Sequence, residues 1–334
     1  MAIFEQAQEQ SPSQEVGAFL RAWGSDVPDG TRIFQETSEE DGMPQELYVL
    51  HDAELIHQID ESLEQSSVGL TSPLGSGKTA LREIMLREFG QRDDYVLTHL
   101  GGGASETMRG IVVSVVRSLL DEGFAYDEES VGQIVDGVPW KTEDCVAALD
   151  KLTTEAAAGG GRKVVVIADQ SEKYDERQLE ALQSILDVGV KLLVMGTPRG
   201  RETVADEKPA LESRMTWIER GIKPFEPGHT AEYIAKSLAY AADEPYGGPI
   251  YDGEGVESFV DSAPTGPFVA GAAEAITDLG DGNPRLVRLG CLWSLSEAAR
   301  TWDDQEDVAA EDVPVTRELV ERANDRREWA TGRE

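Results

Sequence analysis

The stretch Val68-Gly69-Leu70-Thr71-Ser72-Pro73-Leu74-Gly75-Ser76-Gly77-Lys78-Thr79 decides how the rest of the chain is read. A short apolar strand, Val68–Thr71, runs into a glycine-rich turn, and a helix over Thr79–Phe89 leaves it. Cradling a phosphate takes consecutive backbone N–H groups turned inward, which glycines permit. It also takes a lysine for the β- and γ-phosphates and a hydroxyl for Mg²⁺. Gly75, Gly77, Lys78 and Thr79 supply those parts, and Pro73 and Ser76 complete the loop. Ser72 stands where the pattern has its first glycine.

Outward from the loop, strands and helices alternate. Upstream, Leu55, Ile56, Ile59 and Leu63 recur at helical spacing. Downstream come a strand Tyr95–Leu100, a helix Thr107–Leu120, an acidic excursion over 121–141 and a helix Glu143–Ala158 that the glycines 159–161 stop. The runs Lys163–Ala168 and Val190–Gly196 are apolar without alternation, as in parallel strands buried on both faces, and a helix Glu176–Leu186 joins them. This pattern predicts an α/β fold, a parallel sheet sandwiched by helices. Beyond Pro227 the pattern becomes amphipathic helices near 230–242, 255–262, 269–279 and 284–299, a small all-α domain. The expected organisation is a tail and docking segment over 1–44 with one apolar island at Val16–Trp23, a nucleotide-binding core over 45–226, and a helical lid over 227–300. An acidic connector and a last charged helix fill 301–334.

The second chemical signal is Val164-Val165-Val166-Ile167-Ala168-Asp169, a buried strand that ends in a carboxylate. Parallel sheets present ligands at the carboxyl ends of their strands, so Asp169 is placed to hold Mg²⁺ together with Thr79. Gln170 follows it. A carboxylate at that position would polarise an attacking water, whereas an amide orients water without accepting its proton. Glu172 is a displaced carboxylate beyond the strand end.

These residues resemble the AAA+ ATPases, a P-loop NTPase family whose loop often reads Gly-Pro-Pro-Gly-Thr-Gly-Lys-Thr. Pro73, Gly75, Gly77, Lys78 and Thr79 match it, while Ser72, Leu74 and Ser76 do not. The resemblance, over 45–300, implies three further roles. Thr197 corresponds to the sensor 1 polar residue near the γ-phosphate. Arg214, in Leu211-Glu212-Ser213-Arg214, resembles the arginine finger that reaches a neighbour's nucleotide. Arg285, in Gly282-Asn283-Pro284-Arg285, resembles sensor 2 at the start of a lid helix. By motif wording the nearest branches are origin-recognition-type initiators and transposition- or secretion-associated ATPases. Two departures stand out: Gln170 in place of a glutamate, and the 91 positions from Lys78 to Asp169.

The resemblance implies binding of ATP and Mg²⁺ at a site whose catalytic set is Lys78, Asp169, Gln170, Thr197, Arg214 and Arg285. It implies self-association through the nucleotide interface and contact with DNA, directly or through a partner. Only 34 positions follow Arg300, too few for the winged-helix domain of about 80 residues that initiators append. The expected function is a slow ATPase acting as an assembly switch in DNA replication, transposition or another mobile-element process. A nucleotide-gated regulatory or defence switch with little hydrolysis is the alternative, and a scaffold with a vestigial loop is a third.

Composition narrows the setting. Against 30 Lys and Arg stand 64 Asp and Glu, a net charge of −34, and only nine of the cations are lysines. That excess resembles proteins of salt-in halophiles and argues against a broad non-specific grip on phosphate backbones. No apolar run reaches the length of a membrane span, and no cationic segment precedes an apolar one at the N-terminus, which points to a cytoplasmic protein. Cys145 and Cys291 lie in apolar helical runs and read as core residues, a single disulfide being the alternative. His51, His57, His99 and His229 show no metal-ligand spacing.

Overall fold

A computed structural model describes residues 13–28, 33–34, 44–100, 107–126, 132–253, 256–305 and 307–331. The chain divides into two compact units, Asp52–Lys223 and a second drawn from Met1–His51 and Pro224–Glu334.

In the first unit, β1 (Ser67–Thr71), β2 (Tyr95–Leu100), β5 (Lys163–Ala168), β6 (Lys191–Gly196) and β7 (Met215–Ile218) form one parallel sheet in the order β2-β5-β6-β1-β7. The unbroken apolar runs are explained by burial on both faces. Val164, Val166, Ala168, Leu192 and Val194 join a core cluster with Ile111, Val115, Leu149, Leu152, Leu179 and Leu182 of the helices Met108–Asp121, Thr142–Ala158 and Glu176–Asp187. The alternate residues Val165, Ile167, Leu193 and Met195 are equally inaccessible and point to the opposite face. The acidic excursion over 121–141 carries a two-stranded antiparallel hairpin, β3 (Ile134–Val135) and β4 (Val138–Pro139), while 127–131 lie outside the described residues. At the sheet edge, β7 is a strand that the sequence pattern does not announce. Gly69 faces Trp217 across the β1–β7 pair, and a Cβ there would come within 2.3 Å of the indole.

The second unit is helical. Helices Pro227–Ala241, Val256–Ser262, Ala270–Leu279, Pro284–Asp303 and Arg317–Thr331 are joined by the N-terminal helix Ser13–Ala22, whose Val16, Phe19 and Leu20 are buried against residues such as Leu295, Ala298 and Ala310. The apolar island near the N-terminus is thus a packed helix, while residues 1–12 of that segment lie outside the described residues. Both cysteines are buried and free. No helix among the described residues is long and apolar enough to cross a membrane.

Candidate functional site

The carboxyl ends of three adjacent strands converge on one edge of the sheet. Register pairs Thr71 of β1 with Gly196 of β6, and Ala168 of β5 with Val194 of β6. Ser72, Thr197 and Asp169, which follow those strands, therefore share an edge, with β6 in the middle.

The loop after β1 needs its glycines. Gly75 and Gly77 have φ of +79° and +97°, the left-handed region that a side chain opposes. Gly77 caps the helix Lys78–Gly90 without a side-chain bond, so the first amides of that helix stay open toward the loop. Lys78 folds back over the loop, its Nζ donating to the carbonyl oxygens of Ser72 and Pro73, both at 2.8 Å. It is buried, and burial pulls its pKa below the usual lysine value against the opposing pull of the Asp169 and Glu172 charges. Ser76 Oγ is buried with no hydrogen-bond partner among the described residues.

Thr79 Oγ1 donates to Asp169 Oδ2 at 3.1 Å, joining the loop helix to the end of β5. Asp169 is almost wholly buried, and its pKa is raised by that burial despite the Gln170 N–H at 2.7 Å, the nearby Arg82 and the Thr79 hydroxyl. Arg82 brings NH1 to 3.8 Å from Asp169 Oδ2 and is itself fixed by Glu83. Its place three residues after Thr79, on the same helix face, is the signal that would have flagged it. A hydroxyl beside a buried carboxylate is the hard-oxygen pair that Mg²⁺ takes when phosphates complete its shell, so these residues fit both nucleotide and cation. Thr79 and Asp169 would hold the ion.

Ser72 departs from glycine for a visible reason. Its N–H donates to the Gly196 carbonyl at 3.0 Å, and its buried hydroxyl accepts the Ile222 N–H at 3.2 Å, tying the loop to the chain after β7. Gln170 occupies the left-handed region at φ +59°. The following 3-10 turn, Ser171–Lys173, directs Glu172 so that Oε2 accepts the Thr197 N–H at 3.0 Å.

Arg214 lies apart from this edge. Arg214 precedes Met215, which pairs with Ser67 at the start of β1, so it sits at the opposite edge of the sheet, about 16 Å along the strands at ~3.3 Å per residue. It pairs there with Asp187. That placement keeps Arg214 away from the loop of its own chain. Arg285 belongs to the helical unit. In its motif Gly282, at φ +63°, packs so closely that a Cβ there would lie 2.4 Å from the Phe225 carbonyl oxygen. Asn283 caps the helix by accepting the Arg285 and Leu286 N–H groups, and Pro284 opens it.

The chain matches no family model and no curated protein. Among solved structures it is similar to a Walker-type ATPase of Pyrococcus abyssi, at 14% identity over 90% of this chain and 77% of that one, with a TM-score of 0.50. It is also similar to the ORC2 protein of Aeropyrum pernix in ADPNP–ADP complexes, at 15% identity over 88% and 71% of the two chains, TM-score 0.48. A third is the RuvB Holliday junction branch migration motor of Thermotoga maritima, at 15% identity over 88% and 73%, TM-score 0.44.

Proposed function

We propose that this chain, whose fold is that of the AAA+ P-loop ATPases, binds ATP with Mg²⁺ and works as a slow ATPase whose nucleotide state switches its assembly. The observation that carries the reading is the joint placement of a buried Lys78 over the loop carbonyls and of Thr79 against Asp169. Lys78 and the open amides of the loop helix bind the phosphates, and Thr79 and Asp169 hold the cation. Thr197, at the middle strand end, takes the γ-phosphate sensing role in this reading. Gln170 favours low turnover, because an amide accepts no proton from water, a contribution worth about 10²–10⁴-fold.

Arg214 serves a second copy's γ-phosphate and Arg285 takes the sensor role that its motif resembles, so ATP gathers subunits and hydrolysis releases them. The setting is a DNA-directed process such as replication or transposition, in the cytoplasm of a high-salt cell. A regulatory or defence switch that barely hydrolyses ATP is the second reading, favoured by the same Gln170. Light scattering of the wild-type chain with ATP and with ADP, alongside steady-state turnover with and without DNA, tests the switch. Larger particles with ATP than with ADP, lost in Arg214→Ala while ATP binding persists, are expected. A chain that stays monomeric with ATP under every salt and DNA condition would remove the assembly role.

A further inference from the structure

The turn after Asp169 delivers a second carboxylate to the same sheet edge. Gln170, at φ +59°, reverses the chain, and the 3-10 turn Ser171–Lys173 brings residue 172 over the end of β6. The turn is locked in place: Ser171 is fully buried, and a Cβ on Gly196 or Gly200 would come within 2.0 Å or 2.3 Å of its Oγ. Glu172 Oε2 accepts the Thr197 N–H at 3.0 Å, while Oε1 accepts no hydrogen bond from any described residue. Because β6 lies between the loop strand β1 and the Asp169 strand β5, this carboxylate occupies the central strand end of the three. Its charge also reaches Lys78.

We propose that Glu172, three positions beyond the strand aspartate, is the catalytic proton acceptor for the water that attacks the γ-phosphate. The assignment rests on the ATP-binding reading given above but not on its slow turnover: with Glu172 as acceptor, Gln170 no longer limits the rate. In the step, the water oxygen forms a bond to the γ-phosphorus as its proton passes to Glu172 Oε1. The bond from the γ-phosphorus to the bridging oxygen breaks, and ADP and phosphate leave. The Thr197 N–H anchors one carboxylate oxygen and thereby presents the other. Gln170 has no such capacity, and the base stands on a turn instead of on the strand.

The competing role is a plain cap on the helix Pro198–Glu207, and the isosteric variant separates the two. In Glu172→Gln the side-chain oxygen still accepts the Thr197 N–H, so the cap survives while the proton acceptor is lost. The expected result is a fall of about 10²-fold or more in kcat, with ATP affinity and melting temperature unchanged. Gln170→Ala should change kcat far less, and Glu172→Asp, which keeps a carboxylate, should retain more turnover than Glu172→Gln. Three results would overturn the assignment: wild-type turnover in Glu172→Gln with a lowered melting temperature only in Glu172→Ala; a Glu172→Asp slower than Glu172→Gln; or a wild type that binds ATP with no turnover at all. Equal ATP binding by wild type and Lys78→Ala would instead remove the site reading itself.

Discussion

Asp169 is held almost out of solvent at the carboxyl edge of the sheet. A carboxylate with almost no solvent contact is costly unless it is paired, and here burial outweighs the Gln170 N–H, Arg82 and Thr79. Because its pKa is raised in the folded chain, the folded state binds this proton more tightly than the unfolded one. The stability it contributes is present at low pH and is lost as pH rises through the folded value. Asp169→Asn should therefore melt no lower than wild type in the absence of nucleotide, and should flatten that part of the pH dependence. The same variant should lose the Mg²⁺-dependent part of ATP affinity. Calorimetric melting across pH together with ATP titrations with and without Mg²⁺ checks both halves, and a variant that melts well below wild type at neutral pH would contradict the burial argument. At this scale the loop and the strand aspartate were legible in sequence because they are contiguous. Arg82 is signalled only by its spacing from Thr79, and the Ser72–Ile222 and Glu172–Thr197 bonds were not legible, since 150 and 25 positions separate their partners.

Among the elements, the buried strands were the easiest to read. Lys163–Ala168 and Lys191–Gly196 expose neither face, so their composition alone marks them. The edge strand β7 escaped because only four residues form it, with Thr216 exposed and Trp217 half-buried, and it pairs with β1 alone. The hairpin β3–β4 has two residues per strand, too few for any period to show. Packing at the strand ends is tighter than the sequence suggests, since Gly200 in the first turn of the helix Pro198–Glu207 lies against Ser171 Oγ and the Glu172 N. Gly200→Ala should cost about 1–3 kcal/mol through overpacking, read as a melting temperature lower by several degrees. It should also lower turnover by displacing the turn that carries Glu172. A variant with wild-type melting and turnover would show that the turn yields freely.

For the whole molecule, charge is the dominant variable. An excess of 34 negative charges over 334 residues repels itself across a Debye length of about 3 Å at 1 M salt but about 10 Å at 0.1 M. Local compensation exists: Glu297, almost fully buried, gathers Arg300, Arg322 and Arg326 at 3.4, 3.2 and 2.9 Å. Such pairs are individually weak where half-exposed, so they do not offset the net repulsion. The melting temperature should fall on dilution from about 3 M to about 0.1 M KCl, and an unchanged value would remove the high-salt reading. The alternation of strands and helices in the core, and the helical character of the C-terminal region, were visible because both follow from hydrophobic period. The joining of the N-terminal helix Ser13–Ala22 to that helical unit was not, because it depends on contacts across most of the chain.

Every role assigned to the sheet edge depends on the loop at Lys78 holding ATP. Titration calorimetry of ATP and Mg²⁺ into the wild-type chain and into Lys78→Ala, both in about 3 M KCl to keep the acidic surface screened, tests it most directly. Saturable binding by the wild type and none by the variant, with both chains melting at the same temperature, is the predicted result. Equal affinities in the two chains would contradict it.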